Sequence, residues 1–466
     1  MNRRLSFFAA GVILCVSGCS LAPEYMQPAA SIPATLPQGA AFHCPSVAPD
    51  GAALKHREFF ADPRLQQIIE IALENNRDLR LATLNVERSR AMYGISRAEL
   101  LPSVDLTASG SRQRIPADLS SSGKSTTSAR YGVNMGVAAW ELDLFGRIRS
   151  LKDQALAAYF ASAEAQRGAH IALEAEVGRV YLTLAADREK LKLAQSTLDS
   201  QQQTYALVYK LLDAGVGTEL DVRRAQVAVE TARVAVAGYT QRVAQDHNAL
   251  NLLAGTSLKQ ELLPVDLTTV IAPEAICAGL SSAVLLQRPD VVAAEYRLKG
   301  AYALIGAARA AFFPRIALTT GIGTASSHLC DLFDAGSGTW NFAPQIVMPI
   351  FDARIWAAYR ISKAEREMVV TQYDKTIQTA FREVADAMAV QGTIDEQVAA
   401  QQALVDSAGA IYNLAQTRYQ NGVDNYLSVL AAQQSHFAAE QGLVSLRLAK
   451  LANRVRFYAV LGGGGE

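Results

Sequence analysis

Five cysteines, six histidines and a few glycine-rich stretches hold most of the side chains in this 466-residue sequence that could do chemistry. The histidines (His43, His56, His170, His247, His328, His436) are dispersed. None belongs to an HExxH pair that would hold zinc on one helix face, and none stands near a nucleophile pattern. No glycine loop has the spacing that cradles a phosphate, and Gly462 to Gly465 reads as a floppy tail. The expectation is a protein without catalytic residues, metal ligands or a bound cofactor. Charge is balanced, 44 basic residues against 44 acidic. A nucleic-acid partner would want a basic excess.

One cysteine has a chemistry that its neighbours specify. Arg3 and Arg4 precede an apolar run from Leu5 to Val16, and Val16-Ser17-Gly18-Cys19 follows. That run is too short for a permanent membrane helix and suits a signal segment. An apolar residue, two small ones and a cysteine fit the bacterial lipobox, in which Cys19 becomes the first residue and carries a diacylglycerol and an N-acyl chain. Each buried acyl methylene contributes roughly 0.8 kcal/mol, so three chains anchor firmly to outer-membrane lipid. Ser20, and not an aspartate, follows Cys19, which favours the outer membrane. The plainer alternative is an ordinary cleaved signal with a chance cysteine. Cys15 leaves with the signal. Cys44, Cys277 and Cys330 show no CxxC spacing, and the sequence leaves open whether any disulfide forms.

The elements that must position anything further come in two similar sets. At an offset of 212 (290 − 78), Asp78 and Pro102 match Asp290 and Pro314. At 207 (383 − 176), Glu176, Tyr205, Gly215, Val216 and Leu220 match Glu383, Tyr412, Gly422, Val423 and Leu427. The expected organisation is a signal peptide over 1–18, a lipid-anchored extended tether over 19–59, a first repeat over 60–270, a second over 275–461, and a disordered tail over 462–466. Each repeat reads helix, strand, loop, strand, long helix, turn, helix. No proline occurs between Pro116 and Pro264 or after Pro349, and strong helix formers fill those stretches. A seven-residue recurrence runs through them: Leu191, Leu198, Tyr205, Leu212, then Val398, Val405, Tyr412, Tyr419. This is coiled-coil periodicity. A helix from Arg147 to Asp213 would be ~100 Å long at 1.5 Å per residue.

Between the helices, residues 104–110 and 340–350 alternate apolar with polar. Such alternation suits a barrel wall with lipid on one side and water on the other. Tyr131 and Trp340 are candidates for an aromatic girdle. Gln113–Ser128 and Ser326–Thr339 read as polar loops. Pro102 and Pro314 sit where helix hands over to strand. After Cys19 no run of 18 or more apolar residues occurs. Strands must therefore make any bilayer crossing, and four cannot close a barrel. Three copies would supply twelve.

These residues also resemble a family, the outer-membrane factors of tripartite efflux systems: TolC-like, and nearest its OprM/NodT lipoprotein branch. The resemblance covers nearly the whole chain. It rests on Ala22-Pro23-Glu24-Tyr25, on Asp62-Pro63-Arg64-Leu65 with Ala72 to Leu79, on Trp140 to Arg147, on Arg288-Pro289-Asp290-Val291 with Ala307 to Pro314, and on Arg418 to Leu427. It implies a membrane α+β fold, a homotrimer with a twelve-stranded outer-membrane β-barrel continued by a twelve-helix periplasmic coiled-coil tunnel. It implies two partners, a periplasmic adaptor protein and an inner-membrane transporter of the resistance-nodulation-division type, with this chain a passive gated conduit for small molecules.

By that resemblance the two turns are the periplasmic tip. Gly215, Val216, Gly217, Thr218 and Leu220, with Gly422, Val423 and Leu427, are then candidates for adaptor docking. The plainer reading is helix-hairpin turn chemistry alone. Asp424 is the gate candidate, because three copies would form an acidic ring that attracts cations. Arg418, Tyr419 and Asn425 would supply holding hydrogen bonds, and an exposed turn aspartate is the plainer account. TolC-like chains place acids further along, where this one has Ser428 and Ala431. Arg309 reads as a salt bridge or junction contact. Two other functions are weighed: the channel of a type I protein secretion system, and a lipid-anchored coiled-coil scaffold without a pore, which predicts no alternating strands. The sequence leaves the cargo and the gating trigger open.

Overall fold

The structure, a computed structural model, describes residues 20–29, 31–42, 56–274 and 282–463. Cys19, Cys44 and Cys277 lie outside them. Cys330 is an exposed free thiol. Among the described residues no helix is long and apolar enough to cross a membrane. The elements run α1 (Pro63–Asn75), α2 (Arg77–Ala98), β1 (Asp105–Ile115), β2 (Thr126–Glu141), α3 (Arg147–Asp213), α4 (Glu219–Ala254), α5 (Pro289–Ala310), β3 (Arg315–Ser326), β4 (Gly338–Val347), α6 (Ala353–Gln420) and α7 (Tyr426–Val460). The chain forms two compact units, one of residues 1–29, 85–163 and 293–373, the other of 30–84, 164–292 and 374–466.

The first unit holds a four-stranded antiparallel meander in the order β1-β2-β3-β4. Directly opposed residues share a face. One face carries Leu106, Ala108, Val133, Met135, Ile322, Trp340, Phe342 and Ile346. The other carries Thr107, Ser109, Asn134, Thr319, Asn341 and Gln345. The register shifts between Val137 and Trp140, where Ala139 has φ 52°. Gly136 and Gly323 let β2 and β3 press together: a Cβ on either would lie within 2.3 Å of the facing backbone oxygen. At the foot of the sheet Glu141 accepts from Arg147 and Arg315, each at 2.8 Å, and clasps the start of α3 to β3. Phe145 stacks on Phe313 beside it, ring centroids 4.7 Å apart.

The core of the second unit gathers α1, the middle of α3 and residues of α4, α6 and α7 into one cluster. Asp62 caps α1 by accepting from the Arg64 and Leu65 N–H groups, and Leu65, Ile68, Ile69 and Ala72 are buried against Val177, Tyr181 and Leu184. Phe59 stacks on Tyr458 at 4.5 Å. Arg288 fastens the C-terminus of α7, donating to the Val460 carbonyl at 2.7 Å while paired with Asp290 and Glu383.

Several sequence expectations change. The loops are shorter than Gln113–Ser128 and Ser326–Thr339, because β1 runs to Ile115 and β2 starts at Thr126, while β4 starts at Gly338. Serine and threonine sit in these strand ends because the ladder satisfies their backbone whatever the side chain. Within the span 19–59, expected as an extended tether, some described residues pack on the fold. Leu36 and Phe59 are buried, and the Tyr25 hydroxyl donates to Glu295 at 3.2 Å. Gly462 and Gly463 are an ordered helix end, their N–H groups donating to Ala459 and Tyr458. Arg309 forms no salt bridge among the described residues; it donates to the Leu21 carbonyl and lies over the Tyr359 ring.

Candidate functional sites at the helix-hairpin tips and sheet edges

Two helix hairpins end in the glycine turns, and the local chemistry is the same in both. Gly215 (φ 75°) and Gly422 (φ 72°) adopt the left-handed conformation that favours glycine. The Gly215 and Gly422 N–H groups return to Leu212 and Tyr419, and those of Val216 and Val423 to Leu211 and Arg418. Each is the paired i+3 and i+5 closure of a Schellman cap. The next helix starts at once: Thr218 caps α4 by accepting from Asp221 N–H, and Asn425 caps α7 by accepting from Ser428 N–H. Gly217 stands apart from the docking expectation. A Cβ there would meet Leu212 N at 3.0 Å, so its bareness serves its own turn. Val216, Leu220, Val423 and Leu427 project outward, exposed by 45% or more. A Schellman valine usually folds back on the helix; these two do not.

The gate candidates divide. Arg418 donates to Asp424 at 2.6 and 3.1 Å across the second turn. That guanidinium holds the Asp424 carboxyl below its ordinary range. Tyr419 packs instead against Tyr426, ring centroids 5.7 Å apart, and Asn425 is occupied as the cap. Of the three partners expected to hold Asp424, the structure brings in Arg418.

Behind the tips lies a layer against which Tyr205, Leu212, Tyr412 and Tyr419 of the seven-residue recurrence pack. Val208, Val222, Ala225, Ala415, Tyr426, Val429 and Ala432 form one cluster from all four helices. Above it the buried Gln201 and Gln433 amides bond at 2.7 Å, and the Tyr426 hydroxyl reaches Gln201 at 3.5 Å. Burial pushes the Tyr426 hydroxyl up to about 12. Gln433 is visible in the sequence as the repeat mate of Gln226, but its partner stands 232 residues away and no local pattern names it.

Apolar residues remain uncovered in both units. On α4, Leu220, Val227 and Val234 recur every seven residues, 58–74% exposed, opposite the buried Val222–Val229 seam. On α6, Leu404, Ile411 and Leu414 form a second stripe, 52–61% exposed. In the sheet, β1 and β4 each pair on one side only, which leaves two open edges.

A sequence profile described as Outer membrane efflux protein matches residues 68–256 and 280–463. The chain is 46% identical over 453 residues to the probable efflux pump outer membrane protein TtgC of Pseudomonas putida, covering 96% of this chain and 93% of that one. It is 41% identical over 460 residues to the outer membrane protein OprJ of Pseudomonas aeruginosa, covering 97% and 94%. The open state of the MtrE outer membrane channel of Neisseria gonorrhoeae superposes with a TM-score of 0.85 at 37% identity, covering 96% and 98%. Alternating strands, paired helix hairpins and these likenesses agree, and the chain belongs to the outer membrane efflux protein family, as an outer-membrane channel subunit of a tripartite efflux pump.

Proposed function

We propose that three copies of this chain close one twelve-stranded barrel and one twelve-helix tunnel, each copy a twofold internal repeat, and that the trimer is a passive, gated conduit for small molecules. The observation that carries this is the pair of open edges on a sheet with one apolar face. In hydrocarbon an unpaired strand edge leaves its N–H and C=O groups unsatisfied, at several kcal/mol each. Pairing β4 of one copy with β1 of the next removes both edges, and three meanders give a lumen that one cannot. The uncovered stripes on α4 and α6 fit the same ring. They lie on different helices, so each copy can offer one to its neighbour's other in a head-to-tail contact that closes by rotation. The scaffold reading has no use for such a sheet.

Val216, Leu220, Val423 and Leu427 would receive a periplasmic adaptor, with an inner-membrane transporter of the resistance-nodulation-division type beyond it. The relatives are named for toluene, solvent and antibiotic efflux, which favours small-molecule cargo over secreted protein. Acyl chains on Cys19 would anchor the complex to the outer membrane.

Three Asp424 carboxylates would line the closed tip, each neutralised by its own Arg418, so the mutual repulsion is offset. Asp424→Ala leaves the cation unopposed. Purified protein in a planar bilayer is expected to give trimer-sized, conducting particles, and the variant a weaker block by trivalent cations. Recovery of monomer alone from the native envelope overturns the conduit. Identical block in the variant removes only the gate. Because Arg418 lowers the Asp424 carboxyl, the block should be flat between pH 5 and 8.

A further inference from the structure

We infer that Arg112 and Arg114 form a binding site for the phosphates of an outer-leaflet lipid, the bisphosphorylated headgroup of lipid A. This rests on the barrel reading above. Arg112 stands opposite Ala129 and Arg114 opposite Thr127, so both lie on the apolar face, in line with Ala108, Val133 and Tyr131. Arg130 stands opposite Ser111, one step below Arg112 in level and on the polar face. Two cations on the lipid side are costly unless they sit where lipid is anionic.

Their height fits that layer. Along β3 the apolar face runs from Ile316 to the level of Ser326, which pairs with Tyr131. Ten residue steps (326 − 316) at about 3.4 Å, tilted by about 45°, rise about 24 Å, close to the ~25 Å apolar band of outer-membrane barrels. Tyr131 pairs with Gly110 and its ring covers that glycine, 3.2 Å from where a Cβ would stand. It thereby marks the upper interface. Arg112 and Arg114 are two and four residues further, about 5 and 10 Å higher on the same scale. That is the headgroup depth.

Both side chains are exposed and available. Among the described residues Arg114 reaches only the Ser125 hydroxyl, at 3.5 Å. Among the described residues neither arginine has a carboxylate partner, and Asp118 in the same hairpin does not engage them. Their Cα atoms are about 7 Å apart along the strand, a spacing that suits two phosphates on one headgroup better than one. Guanidinium is the group for bidentate phosphate contacts.

The test is native mass spectrometry of the full-length protein in detergent. The probes are bisphosphorylated lipid A, its dephosphorylated form, and inorganic phosphate as competitor. Arg112→Gln with Arg114→Gln is expected to weaken bisphosphorylated lipid A binding by tenfold or more, on the order of the loss two headgroup-facing cations imply. Arg130→Gln should leave it unchanged, and the dephosphorylated lipid should bind all forms weakly. The site is overturned if the double variant binds as before, if Arg130→Gln loses as much, or if the dephosphorylated lipid binds as well. Displacement of the lipid by millimolar inorganic phosphate also overturns it, as a general anion site. The oligomer is read in the same spectra. An intact oligomer without lipid selectivity sinks this site alone, whereas the absence of any oligomer in the unsubstituted protein sinks the barrel.

Discussion

Glu174 on α3 is almost fully buried in the second unit, where its carboxylate accepts from the Tyr458 hydroxyl at 3.0 Å and lies 3.4 Å from His170 Nδ1. Burial pushes this carboxyl up to about 7, and the Tyr458 hydrogen bond only partly opposes that. The folded state therefore holds a proton that the unfolded chain releases near 4.5. The resulting stability is complete below about 4.5, falls as the pH rises, and is gone once the pH passes about 7. Glu174→Gln keeps the acceptor oxygen and removes the titration. Its melting temperature should exceed the parent's at pH 8, by the equivalent of about 3 kcal/mol at most, and match it near pH 4. An equal gap at both pH values would assign the effect to packing. This residue shows where sequence reading stops. Arg288, Asp290 and Asp62 stood in recognisable motifs, but Glu174 meets Tyr458 across 284 residues, and Gln201 meets Gln433 across 232. Contacts of that span depend on which helices become neighbours.

Among the elements, periodicity was the readable signal. The seven-residue recurrence and the absence of proline place the long helix at Arg147–Asp213, the span that α3 occupies. The strands were readable only over their apolar bands. Their outer ends are serine, threonine and arginine, so composition assigns them to loops while the ladder continues. Glycine in these strands carries the other missing information. Gly136 and Gly323 look like helix or loop breakers, yet each admits a facing backbone oxygen. Gly136→Ala and Gly323→Ala should each destabilise the sheet by about 1–3 kcal/mol, as overpacking does, and lower the yield of heat-modifiable protein on gels. Gly94→Ala and Gly238→Ala are the controls, in helices with open space around the new methyl. They should stabilise by up to about 1 kcal/mol. A similar yield from all four would mean that the β2–β3 approach is not limiting.

For the whole molecule, the question is what covers apolar surface that one chain leaves bare. Exposed leucines and valines scattered singly would need no account. Leu220, Val227 and Val234 are not scattered, since a strict seven-residue spacing keeps them on one side of α4, which is the condition for a second helix to lie along it. The sequence displays the recurrence but does not say which seam meets this chain's own helices. Only the fold separates the buried seam through Val222 and Val229 from the bare one. Val227→Asp with Val234→Asp places two charges on the bare seam and touches nothing in the buried one. A ring-forming copy should lose its neighbour, with the oligomer giving way to monomer in detergent, while far-UV circular dichroism stays at the parent value because α4 keeps its own partners. Val222→Asp strikes the inner seam and should instead lower helicity, by local unfolding of the hairpin. An outer-seam double variant that still migrates as the intact oligomer would show that this stripe faces solvent in the assembly, and the head-to-tail contact would then have to run along another face.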